Sequence, residues 1–222
     1  MNTVFTKNFE EPEFDIREIL RYSGCKEPTE EILRVLDECI NECRKELVYR
    51  VCYCEVEVNI SDEYVDFPFA QVKSAALAKN LSGCKSAIVF AATVGIGIDR
   101  LIAKYGKVSQ TKAVFFNAIG AERIESLCDM FEKEQREFKV AEKQFLHPRF
   151  SPGYGDFDIA VQADIFRVLD CPKRIGASLN RSLLMSPSKS VTAVIGISDK
   201  QSVCASGCDL CDKKNCAFKE RV

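Results

Sequence analysis

The run SAIVFAATV, residues 86–94, carries no charged side chain and is apolar at almost every position. A strand with one wet face alternates polar and apolar residues, so a run like this reads as a strand buried completely. Any fold for the chain has to be built around it. Upstream, VYRVCYCEVEVNI (48–60) has period two. Val48, Arg50, Cys52, Cys54, Val56, Val58 and Ile60 fall on one side, and Tyr49, Val51, Tyr53, Glu55 and Glu57 on the other. This predicts one long strand with one face partly wet.

Helical spacing accounts for much of the rest. FDIREILRYSG has Ile16, Ile19 and Leu20 on one face and a stop at Gly24. Thr29 opens TEEILRVLDECINECRKEL with acids in its first turn and an apolar stripe from Ile32 to Leu47. AQVKSAALAKNLSG (70–83), GIGIDRLIAKYG (95–106) and IAVQADIFRVLD (159–170) read as further helices. Residues 109–139 form one long helix, small and apolar in its first half and charged in its second, so only the first half should pack deeply. GASLNRSLLM and KSVTAVIGI are strand-like runs joined by SPS, which suggests a hairpin. Helices and strands mix without βαβ alternation. The expectation is an α+β fold: a single domain over 1–198, with a mainly antiparallel twisted sheet packed with long helices, and a Cys-rich tail over 199–222.

Several function classes drop out. Basic and acidic residues number 31 and 33 and are interspersed, so nucleic acid is not an expected partner. The N-terminal stretch has no apolar core, and no apolar run approaches the roughly 20 residues that span a bilayer. No membrane partner and a cytoplasmic location are expected. TVGIG lacks the third glycine of a dinucleotide fingerprint and reads as a tight strand-to-helix turn. His147 is the one histidine, beside Pro148 and expected in a loop, which argues against a multi-histidine centre.

Cysteine is abundant, at 12 residues. Without a signal peptide these do not form a disulfide framework. Cys39, Cys43, Cys52, Cys54 and Cys128 sit where small buried apolar side chains belong. Cys204, Cys208, Cys211 and Cys216 follow C-x3-C-x2-C-x4-C, compact enough for one site. Four crowded thiolates repel and oxidise, and a cation resolves both. The uneven spacing favours a [4Fe–4S] cluster, with Zn as the alternative.

HPRFSPGYGDF (147–157) holds four backbone breakers among side chains that can bind. Arg149 offers a fork for a carboxylate, Pro152 and Gly153 expose backbone amides, and Tyr154 offers a ring face to a purine or a cation. Together these suit an amino-acid nucleoside such as S-adenosylmethionine (AdoMet). A plain Pro–Gly turn is the other reading.

The same stretch and its sequel resemble a known family. R-x-x-P-G-Y at Arg149–Tyr154, the helix ending in VLD, and I-G-x-x-L-x-x-S-x-x-M-x-P-x-x-S-V at Ile175–Val191 are similar to the activation (reactivation) domain of cobalamin-dependent methionine synthase. LSGCKSAIVFAATVG and the long helix look like its short, freestanding members. The resemblance implies AdoMet as methyl donor and cobalamin as acceptor, carried by a corrinoid-binding methionine synthase or another corrinoid methyltransferase protein. It implies an electron donor of flavodoxin or ferredoxin type. By the same resemblance, Arg149 holds the ligand carboxylate, while Ser151, Gly153 and Tyr154 contact AdoMet through backbone and ring. Met185–Val191 corresponds to a structural hairpin.

The chain also departs from the family. GYPAC is replaced by Gly153-Tyr154-Gly155-Asp156-Phe157, no paired tyrosines follow the hairpin, and Asp66 is the candidate for an acidic ligand contact. It has no D-x-H-x-x-G corrinoid motif, which implies action in trans. Two readings stay open. One is reductive methylation of cob(II)alamin on a partner, with the cysteine tail as a possible electron route. The other is a docking adaptor without AdoMet, with a zinc-stabilised tail.

Overall fold

The structure, a computed structural model, describes residues 3–200. The chain runs β1 (Phe5–Asn8), α1 (Ile16–Ser23), α2 (Glu30–Cys43), β2 (Arg50–Glu57), β3 (Asn59–Ser61), β4 (Tyr64–Phe67), β5 (Ala70–Lys73), α3 (Ala75–Asn80), β6 (Ser86–Thr93) and α4 (Gly97–Tyr105). It continues through α5 (Gln110–Ala141), β7 (Phe145–Leu146), α6 (Val161–Leu169), α7 (Cys171–Arg174), β8 (Ser178–Leu179), β9 (Met185–Ser186) and β10 (Ser190–Ser198). The main sheet has the order β1-β2-β6-β10-β7 and is antiparallel throughout. The α+β expectation holds.

The apolar run of β6 is explained by cover on both sides. Ile88, Phe90 and Ala92 face a core made by α1, α2, α4 and α5, with Ile19, Leu36, Ile98, Phe116 and Phe131 among its members. Ala87, Val89 and Ala91 face a second core, closed by the β3-β4-β5 sheet with α3, α6 and α7. Cys39, Cys43, Cys52, Cys54 and Cys128 are all buried in these two cores. No helix among the described residues is long and apolar enough to cross a membrane.

The stop at Gly24 and the start at Thr29 hold as read, and Asp15 adds a cap that the sequence reading did not name. The Asp15 carboxylate accepts from Arg17 N and Glu18 N at 2.9 and 3.1 Å, and Gly24 ends α1 with φ +76°. Thr29 Oγ1 accepts from Ile32 N at the start of α2. TVGIG is a packing turn. A Cβ on Gly97 would lie 2.2 Å from the Glu46 carbonyl oxygen, so these glycines let the turn press against the chain leaving α2.

Five expectations are corrected. The long strand stops at Glu57, and residues 59–61 pair with β4 in the second sheet. Residues 70–73 are a strand with Val72 buried, because Ser74 caps the following helix by accepting from Leu77 N at 3.0 Å. The run 176–185 does not pair with β10. It folds on itself, Leu179 opposite Met185, around an Asn180 side chain that accepts from Ser182 N and Leu184 N. β10 is apolar on both faces and sits instead between β6 and β7, where both faces are covered. Finally, His147 is buried, its ring nitrogens 2.6 Å from the Asn80 carbonyl and 3.2 Å from Ser198 Oγ. The chain is irregular at this position, but the ring points inward. Deep packing of α5 also extends past its midpoint, through Leu127, Cys128 and Phe131, before Phe138 emerges into solvent.

Candidate functional site

The segment after β7 keeps running beside β10. His147 N donates to Gly196 O at 2.9 Å, and Phe150 and Val194 exchange two bonds of 2.9 Å. Alternation along this edge sends Arg149 toward α5 and Phe150 to the opposite face, where its ring stacks with Phe157 at 6.1 Å.

Arg149 meets three carboxylates. Nη2 donates to Glu125 at 2.6 Å, and Nη1 to Asp129 at 2.7 Å and to Glu132. Positions 125, 129 and 132 share one face of a helix, which is why one guanidinium reaches all three. Arg149 is 27% exposed. Burial opposes its charge, but Glu132 and its neighbours override this and hold the guanidinium above its ordinary value. Burial pushes the Glu132 carboxyl above the ordinary carboxylate range, while Arg149 pulls it down. Burial pushes up the thiol of Cys128, on the same helix, which disfavours the thiolate.

Beyond Arg149 the chain closes a compact loop. Tyr154 N donates to Ser151 O at 3.2 Å, Phe157 N to Tyr154 O at 3.0 Å, and Gly153 N to Phe157 O at 2.8 Å. Gly153 and Gly155 have φ of +94° and +57°, conformations that only glycine adopts freely. Pro152 and Phe157 are buried, Ser151 is half-buried, and Tyr154 is 69% exposed. Asp156 reaches across to the start of α3, accepting from Ser74 Oγ, from Ala75 N at 2.8 Å and from Ala76 N at 3.2 Å. The Ser74 bond leads in holding its carboxyl below the usual range.

Residues 76–204 match the family model described as vitamin B12 dependent methionine synthase, activation domain. The chain belongs to this family. Among solved structures, the MetH reactivation domain bound to AdoHcy superposes with a TM-score of 0.63 at 14% identity, over 92% of this chain and 81% of that one. At that identity the likeness is one of fold. No curated protein matches the chain.

In this activation domain, Arg149, Ser151, Gly153 and Tyr154 share one loop, as their spacing implies, and lie within the matched segment. Asp66 lies on β4 in the three-stranded sheet, its carboxylate accepting from Gln71 Nε2 at 2.7 Å. Cys204, Cys208, Cys211 and Cys216 lie outside the described residues. Among the described residues, no group of three or more His, Cys, Asp or Glu side chains is arranged to hold a metal ion. Sequence reading passed over two participants. The Glu125, Asp129 and Glu132 spacing was available as a signal in the charged half of α5. The bond from Asp156 to Ser74 joins residues 82 apart and left no local trace.

Proposed function

We propose that this activation domain binds AdoMet at the Arg149–Tyr154 loop and serves a corrinoid carried by a partner protein in trans. The observation that carries the reading is the loop itself: an arginine fork and an exposed tyrosine ring, held by internal bonds, inside the family-matched segment. Tyr154 and the neighbouring backbone would receive the nucleoside, and Arg149 the carboxylate. In the reaction, one electron reduces cob(II)alamin to cob(I)alamin, which attacks the AdoMet methyl group. The sulfur–methyl bond breaks with its pair left on sulfur, giving methylcob(III)alamin and AdoHcy. A cytoplasmic setting and a flavodoxin- or ferredoxin-type donor belong to the same proposal.

The carboxylates around Arg149 favour a second reading. Its terminal nitrogens already serve Glu125, Asp129 and Glu132, so a ligand carboxylate has to displace or share with them. A chain that kept this clamp closed would be a docking adaptor without methyl-donor binding.

Calorimetry under anaerobic conditions separates the two. AdoMet binding is expected, and Arg149→Ala should weaken it at least tenfold, about 1.4 kcal/mol. Equal affinity in the variant would remove Arg149 from the site, and no binding by the unaltered chain would leave the adaptor. The four tail cysteines are proposed to hold a [4Fe–4S] cluster that delivers the electron. Reconstitution with iron and sulfide should give a brown protein with a charge-transfer band, lost on Cys208→Ser; a colourless product with one bound zinc would assign a structural tail.

A further inference from the structure

We infer that Asp156 is a positioning residue for the AdoMet loop, fixing Gly153 and Tyr154 by tying the loop's outer half to the start of α3. The inference rests on the AdoMet reading above.

Past Phe150, two apolar side chains pack the loop against the rest of the molecule. Pro152 and Phe157 are buried, one near each end. Between them, Gly153, Tyr154 and Gly155 are exposed, and two of the three have positive φ. Glycines in such a stretch give up more conformational freedom on ordering than other residues. The internal bonds of Gly153 and Tyr154 shape this middle stretch but tie it only to other residues of the loop, so they do not fix it to the rest of the molecule. Asp156 makes that link, through three donors at the start of α3: Ser74 Oγ, Ala75 N and Ala76 N. Ser74 is used twice, since its oxygen also accepts from Leu77 N to cap α3. Gly155 lies close against the same helix, where a Cβ would come 3.3 Å from Ala76 Cβ.

Both Asp156 oxygens are occupied by these donors, so the carboxylate acts through the loop and not on the ligand. Binding geometry displaced by about 1 Å is costly in sites of this kind, which is why a supporting contact affects affinity.

The test compares Asp156→Ala with Thr29→Ala, which removes a helix cap far along the chain from the loop. AdoMet affinity should fall at least tenfold in Asp156→Ala and stay unchanged in Thr29→Ala. Amide hydrogen exchange over residues 151–157 should accelerate at least tenfold in Asp156→Ala alone. Asp156→Asn keeps the size and one acceptor, covers the case of an alanine variant that does not fold, and should fall between the two. If the unaltered chain binds AdoMet and an Asp156 variant binds it equally well despite faster loop exchange, the inference is overturned while the AdoMet reading stands. If the unaltered chain does not bind AdoMet, that reading falls and takes the inference with it.

Discussion

Replacing Arg123 with alanine should lower the unfolding free energy by about 3–5 kcal/mol, seen as a lower urea midpoint. Arg123 lies on α5 and is fully buried. Its guanidinium donates to the carbonyl oxygens of Pro12 and Glu13, to the Glu122 carboxylate and to Ser126 Oγ, and sits 3.8 Å from the centre of the Phe14 ring. Glu122 is buried too, and also accepts from Asp15 N at 3.2 Å. Burial works against the Arg123 charge, and Glu122 overrides it. Removing the arginine strands a carboxylate in an apolar core and releases two backbone carbonyls of the N-terminal segment. Arg123→Met combined with Glu122→Gln should recover most of the loss, because the unpaired charge is then gone. A loss under about 1 kcal/mol in Arg123→Ala would mean that the N-terminal segment is held by other contacts.

Phe131→Ala should cost a similar amount, about 3–5 kcal/mol. The ring is fully buried between α5 and the sheet, with ring centres 4.9 Å from Phe90, 5.1 Å from Tyr53 and 6.4 Å from Phe9. No flexible side chain among these three can swing in to fill the space, so a cavity remains. Phe9 belongs to the same N-terminal segment that Arg123 grips three to five residues later. The two substitutions should therefore couple, and the double variant should lose less than the sum of the singles. Strict additivity in a double-mutant cycle would show that Phe9 and the Pro12–Phe14 stretch dock independently.

The elements that could be read from sequence are those whose signals are local. The unbroken run of β6, the stripe of α2, the cap at Thr29 and the stop at Gly24 each depend on neighbours within a few residues. Residues 70–73 differ from the helical expectation because AQVK followed by SAALAKN suits a helix equally well, and only Ser74 marks the boundary. β10 departs from the expected hairpin because adjacency in sequence favours a hairpin, whereas burial on both faces demands a place inside the sheet. The Arg149–Tyr154 loop was legible as a constellation, since its residues are consecutive. Its surroundings were not. Glu125, Asp129 and Glu132 are only part of the charged half of α5 until the chain edge beside β10 places Arg149 on them, and Asp156 stands in the sequence only as part of a departure from the family pattern. In both cases the partner comes from a distant part of the chain, which no window of sequence contains.

The pairing of β6 with β10 also sets a schedule for the growing chain. Thr93 and Ser190, hydrogen-bonded across the sheet, are 97 residues apart. At about 5–20 residues per second, β6 waits roughly 5–20 s for that neighbour during synthesis. β2 occupies its other side early, but the open edge of the most apolar strand stays available throughout, and such an edge is a template for another chain. The interval between making residue 93 and residue 190 is thus when this protein is most exposed to aggregation, and translation speed governs its length.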